Sequence, residues 1–245
     1  MSWLRCPDPR PWATTRLVCF PHAGGSAVAY RGWGRAASPA LEVHAVQYPG
    51  RADRIREPMM TDARQAARLI AAALGPLTDR PLAFFGHSMG TILAYETALL
   101  LQARGIPPVH LFVSAAPAAH LREESGNPAD KDDDGLVAEL VKLGGTDAAA
   151  LADPELRELV LPYVRADYRL IQKYVHQAGP RLNVPVTGLA GEADPHGTVD
   201  KVSRWAELTD GPFELRAFPG DHFYLNDQLP ELLAEIHKSL GIPAA

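Results

Sequence analysis

The sequence predicts an α/β fold with a mostly parallel central sheet covered by helices on both faces. Three observations carry this prediction: short apolar runs alternate with longer helical periods, turn residues close the runs, and one run breaks at Gly-x-Ser-x-Gly just before a helix. Strands that alternate with helices pair in parallel, because each helix returns the chain to the same end of the sheet. The 245 residues, 47% of them hydrophobic, suffice for one core. We expect a single domain over residues 1–245.

Six apolar runs are the predicted strands of this sheet. They are residues 16–21, 42–47, 82–87, 109–114, 184–190 and 213–218. Helical periods over residues 61–77, 92–104 and 230–240 predict three of the covering helices, and Asp62 stands in the first turn of the earliest one.

One long stretch departs from the alternation of strands and helices. Residues 117–180 contain no convincing strand, whereas residues 136–143, 154–160 and 164–177 have helical patterns. So many residues between two core strands predict a helical insertion after the fourth of the predicted strands. We expect it to lie over the active site as a lid.

The pattern Gly86-His87-Ser88-Met89-Gly90 predicts a nucleophile elbow. A serine hydroxyl is a poor nucleophile at neutral pH, so it has to stand at a strained strand-to-helix turn beside a base and beside backbone N–H donors. Glycines flank it because a β-carbon at either position would collide with the neighbouring strand or helix. Ser88 is therefore the candidate nucleophile.

An acid and a histidine follow Ser88 in the order that the α/β-hydrolase fold requires. Asp194 comes directly after the strand at 184–190, and His222 comes directly after the last strand. Catalytic groups collect at the carboxyl ends of parallel strands, so His222 is the expected general base and Asp194 the group that orients it. Glu192 and Asp200 are competing acids in the same region.

Two backbone N–H groups are expected to form an oxyanion hole. One belongs to Met89, the residue after the nucleophile, and the other to Ala23 in the glycine-rich loop that follows the first predicted strand. An ordinary turn before the next helix is the alternative explanation of Gly24 and Gly25.

These motifs together resemble the type II thioesterases of polyketide synthase and non-ribosomal peptide synthetase pathways. The resemblance runs nearly end to end, through residues 20–26, 47–54, 85–90, 161–168 and 220–224, and Pro-His-Ala-Gly-Gly and Tyr-Pro-Gly-Arg are its most specific parts. It implies a stand-alone editing enzyme that hydrolyses acyl groups from the phosphopantetheine arm of an acyl or peptidyl carrier protein. It also implies that Ser88, Asp194 and His222 are the catalytic triad, that the insertion is a mobile lid, and that no cofactor is needed.

Charge and composition argue against other partners. The formal net charge of -5 offers no basic face to nucleic acid, so we expect no nucleic-acid partner. No apolar run reaches the roughly 18 residues that span a bilayer, so we expect a cytoplasmic protein without a membrane partner. Arg51, Arg54 and Arg56 either steer an acidic carrier protein or, as the favoured interpretation, are solvated or paired with nearby carboxylates.

We also expect no metal site. The acidic residues 130–135 match only half of a calcium loop, because Val141 stands where a bidentate glutamate is required. Instead, Asp133 or Asp134 is expected to cap a helix that begins near Leu136.

Two other functions remain open at this stage. The same triad would serve an esterase or an acyltransferase, in which a free ester replaces the thioester or an alcohol or amine replaces water. A non-catalytic binding protein on a hydrolase scaffold is the alternative of another class, against which the intact triad residues argue.

Overall fold

A seven-stranded sheet forms the centre of the molecule, whose computed structural model describes residues 3–121, 128–144 and 150–243. The strands are β1 (Leu4–Arg5), β2 (Thr15–Phe20), β3 (Leu41–Val46), β4 (Leu82–His87), β5 (His110–Ser114), β6 (Val186–Gly191) and β7 (Phe213–Phe218). Their order in the sheet is β1-β3-β2-β4-β5-β6-β7. All neighbours are parallel except β1, which pairs antiparallel with β3.

Helices cover both faces of this sheet. The α-helices of the described residues, including two in the insertion, are α1 (Trp33–Ala36), α2 (Ala63–Ala73), α3 (Met89–Ala103), α4 (Asp133–Lys142), α5 (Pro154–Lys173), α6 (Val199–Ser203) and α7 (Leu229–Ser239). Side chains of α2, α3 and α6 pack on one face together with Phe84, whereas α1 and α7 pack on the other together with Phe85. Successive residues of β4 thus point to opposite faces, as the period of a strand requires. The predicted fold class is confirmed.

The N-terminal strand β1 was not predicted. It has only two residues, which pair with Val46 and Ala45, and Gln47 N–H donates to the Trp3 carbonyl at 2.8 Å. Two residues are too few for hydrophobic alternation to be recognised, so this strand exists because β3 offers it an edge.

The insertion between β5 and β6 is helical, and its described residues contain no strand. Segments 122–127 and 145–149 of the predicted insertion lie outside the described residues. The two helices expected at 154–160 and 164–177 are one helix, α5, which continues through Pro162. Proline removes one backbone donor but does not end this helix, because Leu161, Val164 and other apolar residues on both sides of it pack into one small core with α4.

An aspartate caps α2 from the position before its first turn, and the cap of α4 differs from the predicted one. The Asp62 carboxylate accepts from Gln65 N–H at 2.7 Å and so caps α2. For α4 the capping residue is Asp132, whose carboxylate accepts from Gly135 N–H at 2.8 Å, and not Asp133 or Asp134, which lie within the first turn. Their carboxylates instead pair with Arg165 and Arg157 of α5. None of the described helices has the length and apolar character needed to cross a bilayer.

Candidate active site

Ser88 stands at a strained turn between β4 and α3. Its backbone has φ of 53° and ψ of -119°, a left-handed conformation that is unusual for a residue with a β-carbon. Close approach of the neighbouring backbone explains the flanking glycines. A β-carbon at Gly90 would lie 1.9 Å from the Phe20 carbonyl oxygen, and one at Gly86 would lie 2.6 Å from the Gly90 oxygen. The geometry is that of the predicted elbow.

His222 and Asp194 meet beyond the carboxyl ends of β6 and β7. The His222 Nδ1 atom lies 2.8 Å from Asp194 Oδ2, and both side chains are buried. Gly191 allows the two strand-end loops to touch, because a β-carbon there would lie 2.1 Å from the Asp221 carbonyl oxygen. The competing acids Glu192 and Asp200 are exposed. The structure thus pairs His222 with Asp194, as the sequence predicted.

Hydrogen bonds keep the Asp194 carboxylate ionised. Burial raises its pKa, but the hydrogen bond and charge of His222 and the backbone N–H groups of His196 and Gly197 outweigh burial, so the pKa lies below its ordinary value. The His196 N–H donates to Oδ1 at 2.8 Å, which leaves Oδ2 to accept from His222. An ionised Asp194 fixes the proton of His222 on Nδ1 and leaves Nε2 free to act as a base.

The two predicted oxyanion donors, Ala23 and Met89, line the same cavity as Ser88 and His222. Neither backbone N–H donates a hydrogen bond to another described residue. Buried or half-buried N–H groups normally find acceptors, so two unused donors beside a serine hydroxyl are suited to receive an oxygen from a ligand.

A cavity of about 1130 Å³ joins these groups to the helical insertion. The insertion supplies part of its wall, through Leu140, Val160, Tyr163, Val164, Tyr168 and Ile171. The insertion and Ser88 therefore line the same cavity. In the described part of the chain no hydrogen bond joins Ser88 to His222, and such bonds often tighten only when a substrate is present.

Two of the histidines near His222, His87 and His22, have strongly lowered pKa values. His87 is fully buried, its Nδ1 lies 2.9 Å from Ser114 Oγ, and burial together with the His222 and His22 rings holds its pKa well below the ordinary value. Desolvation and the charges of His222 and Arg51 lower the pKa of His22 to about 3. Neither ring competes for the proton that a base at His222 would take up. His87 packs against His22, and nothing in the sequence marked these two residues as neighbours.

The arginines after β3 are partly structural. Arg51 is buried and pairs with Asp167 of α5, and Arg54 is buried, pairs with Glu57 and lies over the Trp3 ring. The favoured interpretation as ion pairs is thus confirmed for these two residues, while Arg56 is exposed. The partner of Arg51 lies 116 positions away in the sequence and was not predicted.

One trio among the described residues combines metal-ligating types: Cys6, Glu42 and His44, whose ligand atoms lie within 4.8 Å of one another. The Glu42 carboxylate is already engaged by Arg16 Nε at 3.0 Å and by Arg10 N–H at 2.8 Å. Burial first, and then the charges of Glu42 and Asp8, raise the pKa of the Cys6 thiol to about 11, which opposes the thiolate that a metal prefers. We assign no metal to this trio.

Comparison with known proteins agrees with the geometry. Residues 15–240 match the thioesterase domain family. The chain is similar to a probable cadicidin biosynthesis thioesterase of Streptomyces griseus, with 44% identity over 99% of this chain and 68% of that protein. It is 42% identical to thioesterase PikA5 of Streptomyces venezuelae, over 97% of this chain and 85% of that one. The solved structure of the type II thioesterase BorB, from the borrelidin biosynthetic cluster, superposes with a TM-score of 0.90 at 40% identity and covers 97% of both chains.

Proposed function

The chain belongs to the thioesterase domain family, and on that premise we propose that it cleaves the thioester between an acyl group and the phosphopantetheine arm of a carrier protein. It is a hydrolase and a type II thioesterase like those of polyketide and non-ribosomal peptide pathways, to which its relatives belong. The proposal adds the mechanism, the form of the substrate and the roles of single residues.

One observation supports the mechanism above all others. One cavity holds a serine at a strained elbow, a histidine paired with a buried carboxylate, and two backbone N–H groups that have no acceptor among the described residues. This combination supplies the nucleophile, the base and the oxyanion donors of acyl transfer, and each comes from the chain itself. The reaction as proposed therefore needs no metal or cofactor.

In the first half of the reaction, Ser88 Oγ attacks the thioester carbonyl carbon while His222 Nε2 takes the hydroxyl proton. The carbonyl oxygen becomes an oxyanion that accepts from the N–H groups of Ala23 and Met89. When the tetrahedral intermediate collapses, the carbon–sulfur bond breaks and His222 returns the proton to the leaving pantetheine sulfur. An acyl-serine ester and a free thiol remain.

In the second half, water replaces the thiol. His222 Nε2 takes a proton from a water molecule, whose oxygen attacks the acyl-serine carbon, and the same two N–H groups hold the second oxyanion. Collapse returns the proton to Ser88 Oγ and releases a carboxylic acid. Asp194 stabilises the imidazolium in both halves through its hydrogen bond to Nδ1.

The insertion is proposed to act as a lid that controls substrate size. Its helices α4 and α5 contribute apolar and tyrosine side chains to the cavity wall, so an acyl group bound to Ser88 would lie against them. Acyl or peptidyl carrier proteins are the proposed partners, because the pantetheine arm of such a carrier is long enough to bring its thioester into an internal cavity.

A panel of carrier proteins loaded with acyl groups of different length tests this function. Wild-type protein is expected to release free acids, measured by mass spectrometry of the carrier, and Ser88→Ala protein is expected to lose this activity and its labelling by a fluorophosphonate. Normal release by Ser88→Ala would overturn the mechanism. Transfer of the acyl group to an added alcohol or amine in preference to water would identify an acyltransferase, and an unlabelled, inactive wild type would identify a binding protein.

A further inference from the structure

Arg51 and Asp167 form a buried ion pair between the main fold and the insertion. Both side chains are 1% exposed, and Arg51 Nη2 donates to Asp167 Oδ1 at 2.7 Å while Nη1 donates to Oδ2 at 2.5 Å. Asp167 belongs to α5, and Arg51 follows β3. The Arg51 guanidinium also lies 4.8 Å from the ring centre of Tyr163, which belongs to α5 like Asp167. The pair therefore fastens α5 to the body of the molecule.

The same two side chains also hold the loop that follows β2. Asp167 Oδ2 accepts from the Gly24 N–H at 2.8 Å, and Arg51 Nη1 donates to the Gly25 carbonyl oxygen at 3.1 Å. Helix α5 touches the loop a second time, because a β-carbon at Gly24 would lie only 3.0 Å from Val164 Cγ2. Val164 and Asp167 are three residues apart, so they share the face of α5 that meets the loop.

The ends of this loop depend on other partners. Tyr48 Oη donates to the Pro21 carbonyl at 3.1 Å, and Gln47 Oε1 accepts from Ala27 N–H at 3.1 Å. Both partners follow β3 in the main fold. At the centre, by contrast, the side chain that receives the Gly24 N–H belongs to the insertion. The centre of the loop is therefore the part whose position depends on where α5 lies.

We propose that Asp167 and Arg51 are positioning residues for the oxyanion hole, through which the docked position of α5 sets the direction of the Ala23 N–H. Ala23 directly precedes Gly24, so the peptide group that carries the Gly24 N–H also carries the Ala23 carbonyl. Because both ends of the loop are held, at Pro21 and at Ala27, a rotation of that peptide has to be compensated by neighbouring backbone angles, and the peptide that carries the Ala23 N–H turns with them. This inference rests on the proposed function, in which Ala23 is a donor to the oxyanion.

The consequence is a link between the lid and the chemical step. When α5 is docked, the Asp167 carboxylate has both Arg51 and Gly24 as donors and the loop is held. When α5 moves away, the loop loses an acceptor at its centre, and the hole is no longer arranged for the transition state. Because oxyanion donors act chiefly on the transition state, disturbance of the pair should lower kcat much more than it raises KM.

Three variants test this link. Asp167→Asn removes the charge from the pair, and the double variant Arg51→Met/Asp167→Leu removes both charges, which avoids an unpaired buried ion and so keeps the fold testable. Arg165→Met is the matched control, because Arg165 lies on α5 but bonds to the Ala129 and Lys131 carbonyls and to Asp133 within the insertion. Thermal unfolding of each variant establishes that it is folded at the assay temperature.

The measurements are kcat and KM on an acyl-carrier thioester and the inhibition constant of an alkyl boronic acid, whose tetrahedral serine adduct places an oxygen in the hole. Loss of one complete donor costs about 10²- to 10³-fold in kcat, so displacement of one should cost about 10- to 100-fold in Asp167→Asn and in the double variant. The boronate constant should rise by a similar factor, whereas KM should change by less than about threefold and Arg165→Met should resemble wild type.

A folded double variant with wild-type kcat would overturn the inference, as would a fall in kcat without weaker boronate binding. Both results would leave the proposed function intact, because wild-type protein would still hydrolyse the thioester. A wild type that releases no acid would overturn the proposed function, and the inference with it.

Discussion

Replacement of Asp194 by asparagine should abolish most of the activity through the tautomer of His222. The His196 N–H donates to Asp194 Oδ1, and His222 Nδ1 lies 2.8 Å from Oδ2. A backbone N–H is always a donor, so the new amide must turn its oxygen toward His196 and its NH2 toward His222. Nδ1 then has to accept a hydrogen bond, the ring proton moves to Nε2, and Nε2 cannot take the proton of Ser88.

The size of this effect follows from the same geometry. Turning the amide round would restore the right tautomer but would leave the His196 N–H facing another donor, at a cost of about 1–3 kcal/mol. Even then the imidazolium would lack the negative charge beside it. In the serine protease template the equivalent change lowers kcat by about 10⁴. We expect a similar loss here, which corresponds to about 5 kcal/mol of transition-state stabilisation.

Single-turnover release of an acyl group from a loaded carrier protein measures this loss, with thermal unfolding as the check on folding. Glu192→Gln is the matched control, because Glu192 is an exposed acid in the same loop, and it should retain kcat within about twofold. An Asp194→Asn protein within tenfold of wild type would refute the tautomer argument. A loss of kcat in Glu192→Gln larger than that in Asp194→Asn would show that Glu192, and not Asp194, orients the base.

Three further predictions concern the elbow, a buried carboxylate and the cavity. Gly90→Ala should lower the free energy of unfolding in urea by about 3 kcal/mol or more, because a β-carbon at this position would lie 1.9 Å from the Phe20 carbonyl oxygen. Gly32→Ala is the control: a β-carbon there has no atom within 4 Å, so the free energy of unfolding should change by less than about 1 kcal/mol. Burial raises the pKa of Glu42, but hydrogen bonds from His44, Arg10 and Arg16 outweigh it and lower the pKa to about 2. The ionised carboxylate therefore stabilises the fold fully above pH 4.5, and this stabilisation is lost progressively as the pH falls toward 2. Glu42→Gln should therefore be about 3 kcal/mol less stable than wild type at pH 7, and this difference in unfolding free energy should become smaller below pH 4.5. A difference that does not depend on pH would contradict the lowered pKa of Glu42. Ile171 lines the cavity, so Ile171→Trp should take up part of its volume and lower kcat/KM for octanoyl carriers relative to acetyl carriers by at least about tenfold. An unchanged chain-length preference would count against control of substrate size by the insertion.

Much of the candidate site was predictable because its parts occupy positions that the topology assigns. Ser88 follows one parallel strand, Asp194 another and His222 a third, and the carboxyl ends of parallel strands lie at one edge of a sheet. The strands themselves were recognisable as apolar runs closed by turn residues, within about two positions of the observed ends.

The features that sequence reasoning missed depend on contacts between distant segments. Strand β1 is too short to have a pattern and is held by the edge of β3. Pro162 would end an isolated helix, but packing against α4 keeps α5 continuous. The partnership of Arg51 with Asp167 joins segments 116 residues apart, and neither residue type indicates which of many opposite charges it will meet.

The sequence by itself determined the class of fold, the elbow at Ser88, and the order of nucleophile, acid and base, because these depend on local periodicity and on steric limits of single residues such as Gly90. Only the tertiary structure decided that Asp194, and not Glu192 or Asp200, meets His222, and that Asp167 of the insertion holds the loop beside Ala23. The physical reason is that hydrogen bonds and buried ion pairs act over about 3 Å, and only folding brings distant parts of the chain within that range.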